Sequence, residues 1–345
     1  MTPDQNRSDL MVSLGFVSAL ALIGASAHLS MKQPDPKVGF TDGAYQTLYE
    51  ERFTDTNPVN DLAIHAFSAL KLAALGQVSQ GAVRGVDNWL FTAEEFEVHA
   101  GFEENLMASA QEIARVKDVL SQRGISLLPV IVPDKAEVAA QYVQTPRHAR
   151  VASRHKTFLA HLAALDVSYL DATAALEQVG VASFVKDDTH WSPAGSQAVA
   201  EAVAERTGTM PLNLTKAQVT TEPMGETSFD GDLLRYVPTG MFRPLVGPPQ
   251  QRLARFETTL QSDTGLFGDA QVDVALVGTS FSAKDEWHFA GFLRQGLQAD
   301  LLNFASEGQG PFAPMQSFLA SATLRDKPPK LVIWEIPARY TSKEL

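Results

Sequence analysis

Val274-Ala275-Leu276-Val277-Gly278-Thr279-Ser280-Phe281-Ser282 is an apolar run that breaks into a small polar turn. Consecutive apolar residues with no polar alternation suit a strand covered on both faces, as in a parallel sheet under helices, and the glycine ends it. Downstream the alternation continues: a helix at 284–297, a strand at 300–304, a helix at 311–322 and a strand at 330–334 make successive strand–helix–strand units. Upstream, Leu127-Leu128-Pro129-Val130-Ile131-Val132 reads as another buried strand, stopped by Pro133-Asp134-Lys135. A helix at 104–123 precedes it, and a helix at 151–165, a strand at 167–170 and a helix at 193–206 follow. The pattern predicts an α/β fold with a parallel sheet flanked by helices.

Two regions depart from this rhythm. Residues 207–267 hold many Pro, Gly and Thr residues without a sustained period, which predicts a loop-rich insertion. Ahead of the sheet lie helical stretches at 45–53 and 59–75 and a turn, Arg84-Gly85-Val86-Asp87-Asn88-Trp89-Leu90-Phe91, running into a short apolar strand. Residues 11–27, MVSLGFVSALALIGASA, form an uncharged apolar run after a polar start. That run is at the short end of a membrane span and closes on Ala25-Ser26-Ala27, which fits a small-residue cleavage site. An inner-membrane anchor, a signal cleaved after Ala27 and a buried core helix all fit it. The expected division is 1–30 signal or anchor, 31–43 an extended linker with Pro34, Pro36 and Gly39, and 44–345 one α/β domain.

The chain has 345 residues, 45% of them hydrophobic, enough to bury a large core. Its formal net charge of -12 argues against a nucleic-acid partner, and a polyanionic substrate would need a local positive groove. Zero cysteines exclude disulfides and thiol catalysis.

Ser280 stands just past a buried strand and before a helix, where open parallel sheets place their ligands. Free backbone N–H groups and the helix dipole there can hold an oxyanion, while the same turn also reads as a plain helix cap. Lys186-Asp187-Asp188-Thr189-His190-Trp191 lies in a loop entering a helix at Pro193. In extended chain the spacing of Asp188 and His190 puts both side chains on one face, so a carboxylate can orient an imidazole. A capping turn with His190 packed on Trp191, or a metal site, would use the same pair. His65, His99, His155 and His288 lie at no coherent ligand spacing, so no metal or other cofactor is expected. Together Ser280, His190 and Asp188 supply a nucleophile, a base and an orienting acid. Asn303, Gly308 and Gly310 follow the next strand and are candidate oxyanion donors or an ordinary turn. Lys135, Arg339 and Tyr340 leave strand ends and are candidates for substrate contact or for solvated surface. Asp87, Trp89 and Trp191 fit packing better than sugar stacking.

These motifs, in this order, resemble the alginate O-acetyltransferases of the AlgJ/AlgX type, relatives of the SGNH hydrolases. Gly85–Phe91 resembles that family's Gly-x-x-x-Trp-Leu-Phe, Pro133–Lys135 its Pro-x-Lys, Asp188–Trp191 its Asp-x-His-Trp, Gly231-Asp232-Leu233 its Gly-Asp-Leu, and Gly278–Ser282 its Gly-Thr-Ser-Tyr-Ser. Phe281 stands where the family has Tyr, and Thr279 where ordinary SGNH enzymes have Asp. The resemblance implies an SGNH-like fold, Ser280 as nucleophile, His190 as base and Asp188 as its orienting acid. It also implies transfer of acetyl groups to an exported polysaccharide in the periplasm, with a multipass membrane O-acyltransferase delivering the acetyl groups. A polysaccharide acetylesterase with the same triad and a non-catalytic polysaccharide-binding scaffold are the alternatives. With Leu345 just after the last expected strand, the AlgJ-like arrangement without a carbohydrate-binding module is expected.

Overall fold

The computed structural model describes residues 3–35, 37–39, 41–57, 59–261 and 272–345. Contacts divide the chain into two units, Met1–Gln77 with Val237–Gly247, and Val78–Tyr236 with Pro248–Leu345. The boundary falls at 77/78 rather than near 44, because the helices Ala44–Thr56 and Asn60–Leu75 pack within the smaller unit, the second of them on 240–246.

In the smaller unit a helix spans Pro3–Ser30. Among the described residues no helix is long and apolar enough to cross a membrane. The expected extended linker turns back instead: Arg52 donates to the carbonyls of Lys32 and Gln33 at 2.8 Å each, and Tyr49 Oη meets His28 Nδ1 at 2.8 Å. Residues 36 and 40 of that linker lie outside the described residues. Helix Asn60–Leu75 buries Ala69 and Leu72 but leaves Phe67 and Leu70 each 64% exposed.

The larger unit begins with a small hairpin, β1 (Ala82–Arg84) and β2 (Leu90–Thr92). Its sheet has five strands, all parallel: β3 (Ser126–Val132), β4 (Leu170–Asp171), then β7 (Val274–Val277), β8 (Leu301–Asn303) and β9 (Leu331–Pro337), in the order β4-β3-β9-β7-β8. Successive side chains of a strand face opposite ways, so the apolar runs feed two cores. Leu128, Val130, Val274, Leu276 and Ile333 pack under the helices Pro193–Gly208 and Phe289–Leu297. Leu127, Ile131, Ala275, Val277, Val332 and Trp334 pack under Phe102–Ser121, Ala149–Ala164 and Phe312–Leu319. Both faces are covered, which accounts for strands without polar alternation.

The expected loop-rich insertion is instead built on a long antiparallel ribbon, β5 (Gln218–Phe229) with β6 (Gln251–Gln261); residues 262–267 of it lie outside the described residues. Nearly every β5 side chain is exposed, so the strand shows no apolar alternation to read. Its register shifts between Pro223 and Glu226, where a proline that cannot donate meets Gly225 at φ +88°.

Candidate active site

At the end of β7 the chain turns sharply into the four-residue helix Ser280–Ala283. Thr279 is its N-cap: the hydroxyl accepts from the Phe281 amide at 3.3 Å. The capping role that sequence allowed for this turn thus falls to Thr279, and the half-buried Ser280 hydroxyl is directed elsewhere. Under the turn lies Glu335 of β9, whose carboxylate accepts from the Thr279 amide at 2.7 Å and from the Ser282 hydroxyl at 3.1 Å.

The second loop is pinned at both ends. Phe184 bridges Trp191, the Val185 amide donates to the His190 carbonyl at 3.2 Å, and Ser192 caps the helix Pro193–Gly208 by accepting from the Gly195 amide at 3.1 Å. Within it Asp188 Oδ1 accepts from the His190 amide at 2.8 Å and meets Nδ1 of the ring at 2.6 Å. Asp188 Oδ2 accepts from the Asp232 amide at 2.7 Å. A carboxylate on Nδ1 fixes the tautomer that leaves Nε2 as acceptor. Ser280 Oγ lies 2.6 Å from that Nε2. Burial alone would raise the Asp188 pKa, but bonds from the His190 ring and the Asp232 and His190 amides outweigh it and hold the carboxyl below its usual range. The imidazole stacks on Trp287 at 5.2 Å and leans on Phe281 at 4.7 Å, so its plane is held as well as its tautomer. Trp191 packs in the core and donates to the Phe281 carbonyl at 3.1 Å, tying the two loops together.

The structure places the other candidates differently. Lys135 is 1% exposed and cannot contact substrate. Its ammonium donates to the carbonyls of Leu90 (2.6 Å), Val185 (2.7 Å), Lys186 (2.9 Å) and Asp188 (2.8 Å), a clamp on the loop that carries Asp188 and His190. Burial lowers its pKa to about 8, against the pull of Glu95 and Asp188. The Asn303 side-chain amide donates to the Ser282 carbonyl at 2.8 Å and its oxygen accepts from Ala305 at 3.0 Å, so it braces the helix Ser280–Ala283. Gly308, at φ +73°, lines the cleft with Ser280 and His190, whereas Gly310 lies against the Tyr340 ring. Arg339 is nearly buried, its guanidinium 5.1 Å from the Phe281 ring and 4.8 Å from the Tyr340 ring, with Nε 3.2 Å from Glu94. Arg339 and Tyr340 both line the cleft. Trp89 is buried and stacks on Tyr142 at 4.6 Å, as packing required.

The cleft encloses about 430 Å³. Its wall sets Arg235, Lys284 and Arg339 beside Glu94, Asp232 and Glu307, a local balance of charge in a chain of net -12. Among the described residues one group has metal-ligand spacing, Asp188, His190 and Asp232. Internal bonds already account for it: Asp188 holds the imidazole, and Asp232 Oδ1 accepts from the Thr189 amide at 2.8 Å and hydroxyl at 3.0 Å. Sequence reasoning passed over Glu335 and Glu95. An acid inside an apolar strand was the available signal for the first; the second, which accepts from the Lys135 and Ala136 amides, left none.

Residues 82–338 match the model of the AlgX acetyltransferase, SGNH hydrolase-like domain. A probable alginate O-acetylase AlgJ of Azotobacter vinelandii is 35% identical over 87% of this chain and 79% of its own length. The Pseudomonas putida protein of the same description is 33% identical over 95% and 88%. Among solved structures, the O-acetyltransferase domain of Pseudomonas putida AlgJ superposes with a TM-score of 0.70 at 34% identity, over 76% of this chain and 93% of that one. Pseudomonas aeruginosa AlgX follows more distantly, with a TM-score of 0.57 at 26% identity over 76% and 66%. The sheet, its two helical layers and the likeness along most of the chain together place this protein in the family of SGNH hydrolase-like acetyltransferases of the AlgJ/AlgX type.

Proposed function

We propose that the protein O-acetylates alginate in the periplasm by way of an acetyl-serine intermediate, with Ser280 as nucleophile, His190 as general base and acid, and Asp188 as its orienting acid. The observation that carries this reading is the unbroken relay in which Ser280 Oγ, His190 and Asp188 follow one another at 2.6 Å and 2.6 Å. Ser280 Oγ attacks the acetyl carbonyl carbon as its proton passes to His190 Nε2. His190 returns that proton to the departing donor group, leaving an ester on Ser280. A sugar hydroxyl, deprotonated by the same nitrogen, then attacks the ester carbon, and Ser280 leaves with the proton. Asp188 stays ionised throughout and stabilises the imidazolium. Arg235, Lys284 and Arg339 in the cleft wall stand against Asp232, Glu307 and Glu94 at 3.7, 3.8 and 3.2 Å, so the cleft carries a local charge balance that lessens the repulsion an acceptor with sugar carboxylates would meet from a chain of net -12.

The N-terminal segment belongs to the same proposal, as an inner-membrane anchor that keeps the enzyme beside a multipass membrane O-acyltransferase supplying acetyl groups. The apolar run 11–27 and the exposed Phe67 and Leu70 support a membrane-proximal position. The test follows acetyl release from a chromogenic ester by wild type, Ser280→Ala and His190→Ala, with and without mannuronate oligomers. Release lost in both variants, with acetylated oligomer in the wild-type reaction, upholds the transferase. Release without sugar acetylation makes the protein an esterase, and release unchanged in a folded Ser280→Ala variant removes the serine mechanism.

A further inference from the structure

The central strand reads Leu331-Val332-Ile333-Trp334-Glu335-Ile336-Pro337, apolar but for one acid that is 0% exposed. An ionisable group at such a depth is costly unless hydrogen bonds compensate it. Glu335 Oε2 accepts from the Thr279 amide (2.7 Å), the Thr279 hydroxyl (3.0 Å) and the Ser282 hydroxyl (3.1 Å), and Oε1 lies 3.1 Å from the same Thr279 hydroxyl. These donors flank Ser280 on both sides. The fit is close: a Cβ on Gly278 would stand 2.5 Å from Oε2, so a side chain there would have to displace the carboxyl. The relay from Ser280 to Asp188 does not involve this group.

We infer that Glu335 is the positioning residue of the nucleophile turn: it draws Thr279 and Ser282 down onto the sheet and so holds Ser280 Oγ within bonding reach of His190. The inference rests on the proposed serine mechanism. Reach, not charge, is what this role requires. Burial pushes the carboxyl up to about 7, with the Thr279 and Ser282 bonds pulling against it, so the neutral form is within reach at ordinary pH. A glutamine keeps the length and one acceptor oxygen; an aspartate keeps the charge but withdraws both oxygens by one methylene.

The experiment uses the full chain and a fluorophosphonate probe, with labelling at Ser280 mapped by mass spectrometry and kcat and KM measured on a chromogenic acetyl ester, all well below each variant's Tm. Glu335→Gln is expected to keep labelling rate and kcat within about 3-fold of wild type, while Glu335→Asp and Glu335→Ala lose on the order of 100-fold in both with KM within about 2-fold, the size of effect a misplacement of about 1 Å produces. Wild-type labelling rates in folded Glu335→Asp overturn the inference, as does a Gln variant that loses as much as Asp. If Glu335→Ala does not fold, the Gln and Asp pair decides. A wild-type protein left unlabelled at Ser280 removes the serine mechanism and this inference together; a labelled wild type with indifferent variants removes the inference alone.

Discussion

Replacing Lys135 by methionine keeps the length and apolar stem of the side chain and deletes its three N–H donors. Four backbone carbonyls, of Leu90, Val185, Lys186 and Asp188, converge on that ammonium at 2.6–2.9 Å. Hydrogen bonds to a charged group contribute about 1.5–3 kcal/mol each, so three of them amount to about 6 kcal/mol lost. Set against this is the burial of the charge, which lowers the pKa from 10.5 to about 8 and which methionine no longer incurs. The net expectation is a loss of about 3 kcal/mol, in line with removing one side of a buried polar contact. Urea unfolding followed by tryptophan fluorescence reads it as a lower midpoint at unchanged m. Fluorophosphonate labelling of Ser280 should slow in the folded variant as well, because three of the four carbonyls belong to the loop bearing Asp188 and His190. A loss below about 1 kcal/mol with unaltered labelling would refute the clamp, since it is less than one charged bond.

Asp188→Asn should leave folding nearly intact and lower kcat by about 10⁴-fold by stabilising the wrong imidazole tautomer; ester hydrolysis measures it, and a drop under about 10-fold would contradict the relay. Gly231→Ala should destabilise by about 2 kcal/mol or more, because its Cβ would lie 2.0 Å from the Asp187 carbonyl oxygen; an unmoved thermal melt would show that the loop yields freely. His155 sits between Glu137 and Asp171 at 3.3 Å each, and although burial disfavours its charge, the two carboxylates raise its pKa from 6.5 to about 9. Because the folded protein binds that proton more tightly than the unfolded chain, the stabilisation is complete below pH 6.5 and lost as pH rises through 9. Discounted for the partly exposed carboxylates, it should amount to about 2 kcal/mol, and His155→Gln should remove that difference between melts at low and high pH. Parallel wild-type and variant curves across this range would exclude the effect.

The sheet was legible because its strands are buried on both faces and therefore read as unbroken apolar runs. The places of Ser280, Asp188 and His190 were legible for a related reason: each lies in a short loop leaving a readable strand or entering a readable helix. β5 was not, since a strand with nearly all its side chains exposed has no apolar period. Lys135 follows Pro133 and Asp134 and looks like a surface residue, yet its partners are carbonyls of residues 45 to 53 positions away, which have no side-chain signature. The expected last strand stopped at Trp334, whereas β9 continues through Glu335 to Pro337, its acid being satisfied by donors from a turn more than 50 residues earlier.

β9 lies between β3 and β7, and it is the latest of the sheet's strands in chain order. His190 leaves the β4 side of that seam, Ser280 leaves the β7 side, and Glu335 sits in the seam itself. Until β9 pairs, the chain thus has two half-sheets with bare edges, and those edges are open to mispairing in the meantime. Pairings between such distant stretches of sequence also slow folding. The loops that carry Ser280 and His190 are therefore joined only when β9 slots in, and a chain cut before Leu331 would have no strand to bring them together.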